Sequence, residues 1–315
     1  MRTRFTKLKS RRMENLDASE NAFFSRQLEM TKARTYDRKY PNLRAREFVP
    51  LDPELDNAVE TIRLRSYTQV GVAKLIASYA DDLPRADVQA NEATFGVKSI
   101  GVSYGYNLQE IRAAQRAGVA IDQKKAAAAR RATEVIIDRV LATGDAATGL
   151  TGLLNVPNAL TYTVPADGTG ASALWINKTP VLIVRDMVGI CEYIINQTSE
   201  IESPNMLLLP RAQFTLIRTT RFDSNSDKTI LDWFRAQYPG VAVEPWYRMA
   251  GAGAGGLNRM MAYSMTPDHL QGAVPQEFEQ LPVQERNLEF VVPCHARVGG
   301  VQCYYPLSVA YGDGI

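Results

Sequence analysis

The chain has 315 residues, 45% hydrophobic and 22% charged, with 36 Lys and Arg against 34 Asp and Glu for a formal net charge of +2. This is ordinary globular usage, enough for one large core or two smaller ones, and it excludes a chain disordered throughout. No apolar run approaches the roughly 18 residues of a membrane span, and the basic N-terminus lacks the apolar stretch of a signal peptide, so a protein folded in the cytoplasm is expected.

The first element is a basic arm. Residues 1–50 hold 13 Lys and Arg against 6 Asp and Glu, a balance of +7 that leaves −5 for the other 265. Met13 to Arg34 has the spacing of an amphipathic helix, with Leu16, Phe23, Phe24 and Met30 among charges, and Tyr36, Arg38, Lys39 and Tyr40 follow. Basic residues interleaved with aromatics suit nucleic acid, but an arm lying on a neighbouring subunit is the simpler expectation.

From Phe48 to Tyr106 the pattern turns extended. Ile62, Leu64, Tyr67 and Val70 read as one strand and Phe95, Val97, Ile100, Val102, Tyr104 and Tyr106 as another. Between them lie Lys74, the acids Asp81, Asp82 and Asp87, and Leu83-Pro84-Arg85. Two strands joined by so long an insert make an extended arm rather than a core hairpin.

Asn107 and Glu110 form a capping-box pattern before a helical segment that Gly118 interrupts. From Asp122 to Thr143 there is neither Gly nor Pro, and those 22 positions make a rod of about 33 Å at 1.5 Å per residue. It carries Lys124, Lys125, Arg130 and Arg131, ends at Gly144, and is followed by the turn Gly149-Leu150-Thr151-Gly152-Leu153-Leu154-Asn155.

After a linker-like stretch at Pro165 to Gly170, helices and strands alternate. Helices are expected over 181–197, with Pro180 in the first turn, over 211–218 and over 229–237; strands over 206–209, 241–244 and 259–263. This is a compact α/β unit. Leu288 to Arg297 and Val301 to Tyr305 read as two strands joined at Val298-Gly299-Gly300, too apolar for an exposed edge and expected to return to the long helix.

Chemistry is sparse. His269 and His295 are isolated, and no HExxH, GxSxG or paired-cysteine spacing accompanies them. Cys191, Cys294 and Cys303 are odd in number and suit buried apolar sites better than a disulfide or zinc. Gly251-Ala252-Gly253-Ala254-Gly255-Gly256 lacks the Lys-Ser or Lys-Thr of a phosphate loop and reads as a flexible tip. No catalytic residue, cofactor or metal is expected.

The order of elements, the GLTGLLN turn after the long helix, and the ending Val301 to Pro306 with Tyr311-Gly312-Asp313-Gly314-Ile315 resemble the major capsid proteins of tailed phages with the Hong Kong 97-type fold and the related encapsulin shells. The resemblance implies an α+β fold with an N-terminal arm (1–60), an extended E-loop and flanking strands (61–106), a peripheral domain with a spine helix (107–164), an axial domain (165–285) and C-terminal strands returning to the peripheral domain (286–315). It implies hexamers and pentamers of an icosahedral virion capsid around double-stranded DNA, assembled in the host cytoplasm, with scaffold, portal and cement proteins as further partners and no membrane.

On this resemblance Phe23, Phe24, Tyr36, Tyr40, Lys74, Leu83, Pro84, Arg85, Gly253 and Gly255 are candidate intersubunit contacts. Arg11, Arg12, Arg38, Lys39, Lys124, Lys125, Arg130 and Arg131 are candidate DNA-facing residues, binding through charge alone. Some such shells join an E-loop lysine to a neighbour's asparagine; Lys74 and Lys98 lie in or beside the loop, but no bond of this kind is expected. The alternatives are an encapsulin-like compartment around protein cargo, and an α/β transferase built on Thr179 to Met265, since fold does not dictate function.

Overall fold

The uninterrupted run after Gly118 is a single long helix in the computed structural model, which describes residues 40–71, 73–74, 85–117, 121–225 and 227–315. The expected arm helix at 13–34 lies outside the described residues, as do Arg11, Arg12, Phe23, Phe24, Tyr36, Arg38, Lys39, Leu83 and Pro84. Residues 43–315 form one compact unit, separate from residues 1–42.

That unit begins with a short helix α1 (Ala45–Phe48) and an antiparallel ribbon, β1 (Thr61–Val70) with β2 (Asp87–Gly96), in register from Thr61 opposite Gly96 to Val70 opposite Asp87. The chain then enters β3 (Lys98–Asn107), α2 (Leu108–Ala117) and α3 (Ile121–Thr143). The single strand expected from Phe95 to Tyr106 is therefore two. Val97 is buried and its N–H bonds to Glu60 O at 2.9 Å, so the chain leaves the ribbon there and joins another sheet.

The caps read from sequence are made. The Asn107 side chain accepts from the N–H of Gln109 (3.1 Å), and the Glu110 carboxylate accepts from the N–H of Asn107 (3.3 Å), satisfying donors that a helix start leaves without partners. At the other end Gly144 has φ +69 and donates to Val140 O at 2.8 Å, ending α3 in a left-handed turn. Gly152 packs against it so closely that a Cβ would stand 2.2 Å from Gly144 N. The turn needs both glycines.

Next come β4 (Leu160–Thr163), α4 (Pro180–Gln197), β5 (Met206–Leu209), α5 (Arg211–Thr219), α6 (Ile230–Gln237), β6 (Ala242–Pro245) and β7 (Arg259–Tyr263), close to the expected elements. Thr229 and Asp232 form a reciprocal cap on α6. β8 (Leu270–Ala273), β9 (Gln276–Gln280) and β10 (Gln284–Arg286) follow, then β11 (Glu289–Val298), β12 (Gly300–Cys303) and β13 (Val309–Asp313). β4, β8, β9, β10 and β13 were not anticipated from sequence.

β11 runs antiparallel between β3 on one side and β9 and β10 on the other, whereas β12 pairs with β8. β13 instead enters the sheet β4-β13-β7-β5-β6. Side chains of this sheet alternate between two cores, as strand geometry requires. Leu207, Leu209, Val243, Met260, Ala262 and Ala310 join one core with Met187, Ile190 and Ile194 of α4 and Phe234 of α6. Leu208, Met261, Tyr263, Val309 and Tyr311 join the other with Ile137 and Leu141 of α3, Phe48 and Trp246. Burial on both faces explains why β5 reads Met-Leu-Leu-Leu without alternation.

Tyrosine hydroxyls in that second core tie distant segments together. Tyr263 donates to Phe48 O (2.7 Å), while Tyr311 donates to Leu153 O (2.7 Å) and accepts from Val156 N–H (3.0 Å). Asp138 of α3 accepts from Ala45 N–H (2.9 Å) and from Arg248 Nε and Nη2 (3.0 and 2.5 Å), so one buried carboxylate holds three segments. Thr151 exchanges bonds with Val301 at 2.6 and 2.8 Å. The turn after α3 is thereby held to the C-terminal strands.

Candidate assembly surfaces

The β1/β2 ribbon is ten residues long, about 33 Å at the usual strand rise. Asp87 to Thr94 of β2 are all exposed, and Tyr67, Val70 and Val88 stand in solvent, while Ile62, Leu64 and Phe95 nearer the ribbon's base are half-buried. Across the ribbon Arg65 Nε meets Glu92 Oε1 at 2.8 Å. An isolated two-stranded ribbon is marginal in water. Lys74 and Arg85, near its far end, are exposed, and so is Tyr40.

Residues 251–256 are anchored rather than free. Asp313 accepts from Arg259 Nε (2.6 Å) and Nη2 (2.9 Å) and from Ala254 N–H (3.0 Å), and Arg259 Nη1 reaches Leu154 O at 2.7 Å. Burial pushes the Asp313 pKa up, but the bonds from Arg259 and Ala254 outweigh it and hold the carboxyl below its ordinary value. A Cβ on Gly253 would stand 2.9 Å from Asp313 Cγ, so glycine there permits a contact within the chain. Gly255, with φ +67, is exposed.

The four basic residues of α3 do not share a face. At 100° per residue Lys124 and Arg131 align, while Lys125 and Arg130 point elsewhere. Lys125 Nζ donates to Gly105 O (2.8 Å) and Glu110 Oε2 (2.7 Å) and sits 4.9 Å from the centre of the Tyr106 ring. That hydrogen bond, with the one from Asn107 N–H, holds the Glu110 carboxyl below its ordinary range. Lys124 and Arg130 are exposed and Arg131 half-buried. Arg130 lines a shallow depression of about 670 Å³ with Gln123, Ala126 and Phe278.

The family model described as major capsid protein matches residues 71–315. The chain belongs to the major capsid protein family. As a major capsid protein it is a shell subunit of a phage head, and its place is the virion. No curated protein matches the sequence. Among solved structures it is similar to the capsid of Myoviridae Phage XM1, with a TM-score of 0.81 at 15% identity over 92% of this chain and 98% of that one. It is also similar to the capsid of the native GTA particle, at 0.65 and 11% over 95% and 99%, and to a virus-like particle from Pyrococcus furiosus, at 0.50 and 11% over 85% and 91%. The fold is the α+β Hong Kong 97-type shell fold.

In this major capsid protein His269, Cys191 and Cys303 sit in structural settings. His269 Nε2 lies 2.5 Å from Glu202 Oε2, its other ring nitrogen contacts Thr266, and its ring packs on Tyr305. Burial pushes the Cys191 and Cys303 thiols up to about 12, away from reactive thiolate.

Sequence reasoning missed two sets of residues. One is the buried pair Lys178 and Asp186, 2.5 Å apart, with Trp175 Nε1 donating to the same carboxylate at 3.2 Å. No local motif announces it, although a Lys and an Asp eight residues apart across a helix start are a weak signal. The other is a set of exposed aliphatics, Leu174, Ile176, Val181 and Ile201, which composition alone does not separate from core residues. Among the described residues no helix is long and apolar enough to cross a membrane.

Proposed function

We propose that this major capsid protein forms hexamers and pentamers of an icosahedral head around double-stranded DNA, assembled in the host cytoplasm. The observation that carries this reading is the β1/β2 ribbon, paired along its whole length yet with Asp87 to Thr94 of β2 all exposed. A ribbon of that kind gains its stability by lying on another copy. A stable contact buries on the order of 1,600 Å², and an arm about 33 Å long supplies much of it without enlarging the core.

The proposed division follows from this role: arm 1–60, E-loop with flanking strands 61–106, peripheral domain 107–164, axial domain 165–285, and returning strands 286–315 whose last member, β13, finishes inside the axial sheet. Tyr40, Lys74, Arg85 and Gly255 are exposed and stay candidate contacts in this reading. Arg130, exposed on α3, is a better DNA-facing candidate than Lys125, which is engaged within the chain. No catalytic step is assigned. Scaffold, portal and cement proteins remain proposed partners.

Negative-stain electron microscopy of the purified full chain tests the reading. Closed polyhedral shells, or rings of five and six, are expected; persistent monomers would sink it. Nucleic acid recovered from the particles is expected, with retention weakened by Lys124→Glu and Arg130→Glu and by added salt. Enclosed protein in place of nucleic acid would favour the compartment reading.

A further inference from the structure

The β1/β2 ribbon is apolar on one face at its base and on the opposite face toward its tip. In an antiparallel pair, residues directly opposite one another share a face, and successive residues along a strand alternate. The register therefore puts Ile62, Leu64 and Ser66 on one face with their partners Phe95, Ala93 and Asn91, and Gln89 follows on that face. Arg65, Tyr67 and Gln69 stand on the other face with Glu92, Ala90 and Val88.

The chain itself covers part of the first face at the base, where Ile62, Leu64 and Phe95 are half-buried. Past Arg65 that face turns polar, with Ser66, Gln89 and Asn91 all exposed. Val70, in its last row, is set opposite Asp87. On the second face the apolar groups lie farther out. Tyr67 is 67% exposed and Val88 57%. They are diagonal neighbours across the ribbon, and Ala90, directly opposite Tyr67, is too small to separate them, so the three make one patch. Arg65 and Glu92, paired at 2.8 Å, bound it on the side of the base.

The base fixes which face the ribbon presents. Val97, where the chain leaves β2, is 7% exposed, and its N–H bonds to Glu60 O just before β1. Gly299 passes so close that a Cβ there would stand 3.2 Å from Val97 Cγ2 and 2.9 Å from Ala273 Cβ. Both strands are clamped at this point, and ten paired rows carry the setting outward.

We infer that the Tyr67-Ala90-Val88 face of the ribbon tip is the side that lies on the next copy, and that the Ser66-Gln89-Asn91 face stays in solvent in the assembled shell. The inference rests on the proposal that the ribbon lies on a neighbour, and adds which side makes the contact. A single exposed apolar side chain is ordinary, but a cross-strand cluster on a two-stranded ribbon, marginal by itself in water, gains nothing within this chain. Beyond the Arg65 and Glu92 pair this face carries no charge, which suits a protein surface and not nucleic-acid phosphates. Tyr67, two-thirds exposed, retains on the order of 100–170 Å² for a neighbour to cover. That is a fraction of the roughly 800 Å² per partner that a stable interface uses, so the occupant must meet more of the chain than this patch. A second copy does so, because a shell subunit has identical chains on its sides.

The test is thiol labelling of particles assembled from the purified full chain, comparing Val88→Cys with Gln89→Cys, neighbours in sequence on opposite faces. Labelling of the unaltered chain, which has Cys191, Cys294 and Cys303, is subtracted. Both introduced thiols should label readily in free subunits. In particles Val88→Cys is expected to slow at least about tenfold and Gln89→Cys less than about twofold. Protection of Gln89→Cys instead, or of both, overturns the facing and leaves the ribbon on its neighbour; protection of neither overturns the ribbon contact itself. Should either variant fail to assemble, Ala90→Cys and Asn91→Cys repeat the comparison on the same two faces. Protection that requires a different protein added to the particles overturns the second copy as occupant. Absence of particles from the unaltered chain overturns the shell reading and this inference with it.

Discussion

The five-stranded sheet and the β1/β2 ribbon use the same backbone bonding and are opposites in burial. In the sheet, side chains on both faces meet the chain's own helices, so every strand is paid for within one subunit. In the ribbon almost none do. Backbone pairing sets where strands lie, but burial decides which of them stabilise the monomer and which wait for a neighbour. On the proposed reading, the molecule separates folding from assembly along its length.

Deleting residues 306–315 should break this contrast most severely. It removes β13 from between β4 and β7, takes Tyr311 from Leu153 and Val156, and opens both cores. Loss of the cooperative thermal transition is expected, and a trimmed but folded protein would contradict the placement of β13.

A smaller but still large effect is expected of Asp138→Ala, which leaves Arg248 and the Ala45 N–H without their partner in a nearly closed site. Loss of such a partner costs about 3–5 kcal/mol. Urea unfolding measures it, and the ribbon supplies the control: Arg65→Ala, from an exposed ion pair, should cost about 0–1 kcal/mol.

Acid sharpens the comparison further. Because the folded-state pKa of Asp313 is depressed, its contribution is present above the ordinary carboxylate value, about 3.9, and is lost as pH falls through the lower folded value. The stability gap between the unaltered chain and Asp313→Asn should be wide at pH 7 and shrink below about pH 4. A gap independent of pH would show that the Arg259 pairing is not its source.

The smallest effect on the monomer belongs to the ribbon itself. Tyr67→Ser, at a side chain 67% exposed, should change unfolding free energy by no more than about 0.5 kcal/mol. In sedimentation and electron microscopy the same variant should shift material from shells toward free subunits. A destabilised monomer would mean that the ribbon folds against its own body after all.

Much of the local structure was legible. The absence of Gly and Pro between Asp122 and Thr143 marked the long helix to within one residue, because helix propensity and the stops at its ends are local properties. Asn107 with Glu110, Pro180 and Gly144 marked helix ends for the same reason. The order of those elements carried the family resemblance. Short strands with mixed composition were not legible: Gln271, Gln276, Glu277, Glu279 and Gln280 sit in strands whose partners lie elsewhere in the chain.

The settings of the candidate surface residues were legible only in part. Lys125 looked like a free cation because its partner Gly105 lies twenty residues away across a helix and a strand. Gly253 looked like part of a loose tip because Asp313 is sixty residues distant. Ile176 and Trp175 are both large and apolar, and their opposite exposure depends on the buried Lys178 and Asp186 pair that fixes the loop.

What the sequence determined by itself was the set of local elements, their caps and their order, since hydrogen bonding within a helix, turn conformation and side-chain periodicity act over a few residues. Tertiary structure alone decided that β13 enters the five-stranded sheet, that Asp138 joins three segments, and that most of the β1/β2 ribbon is left exposed. Those outcomes depend on which distant surfaces exclude water from one another, and burial is a property of the packed chain rather than of any segment in it.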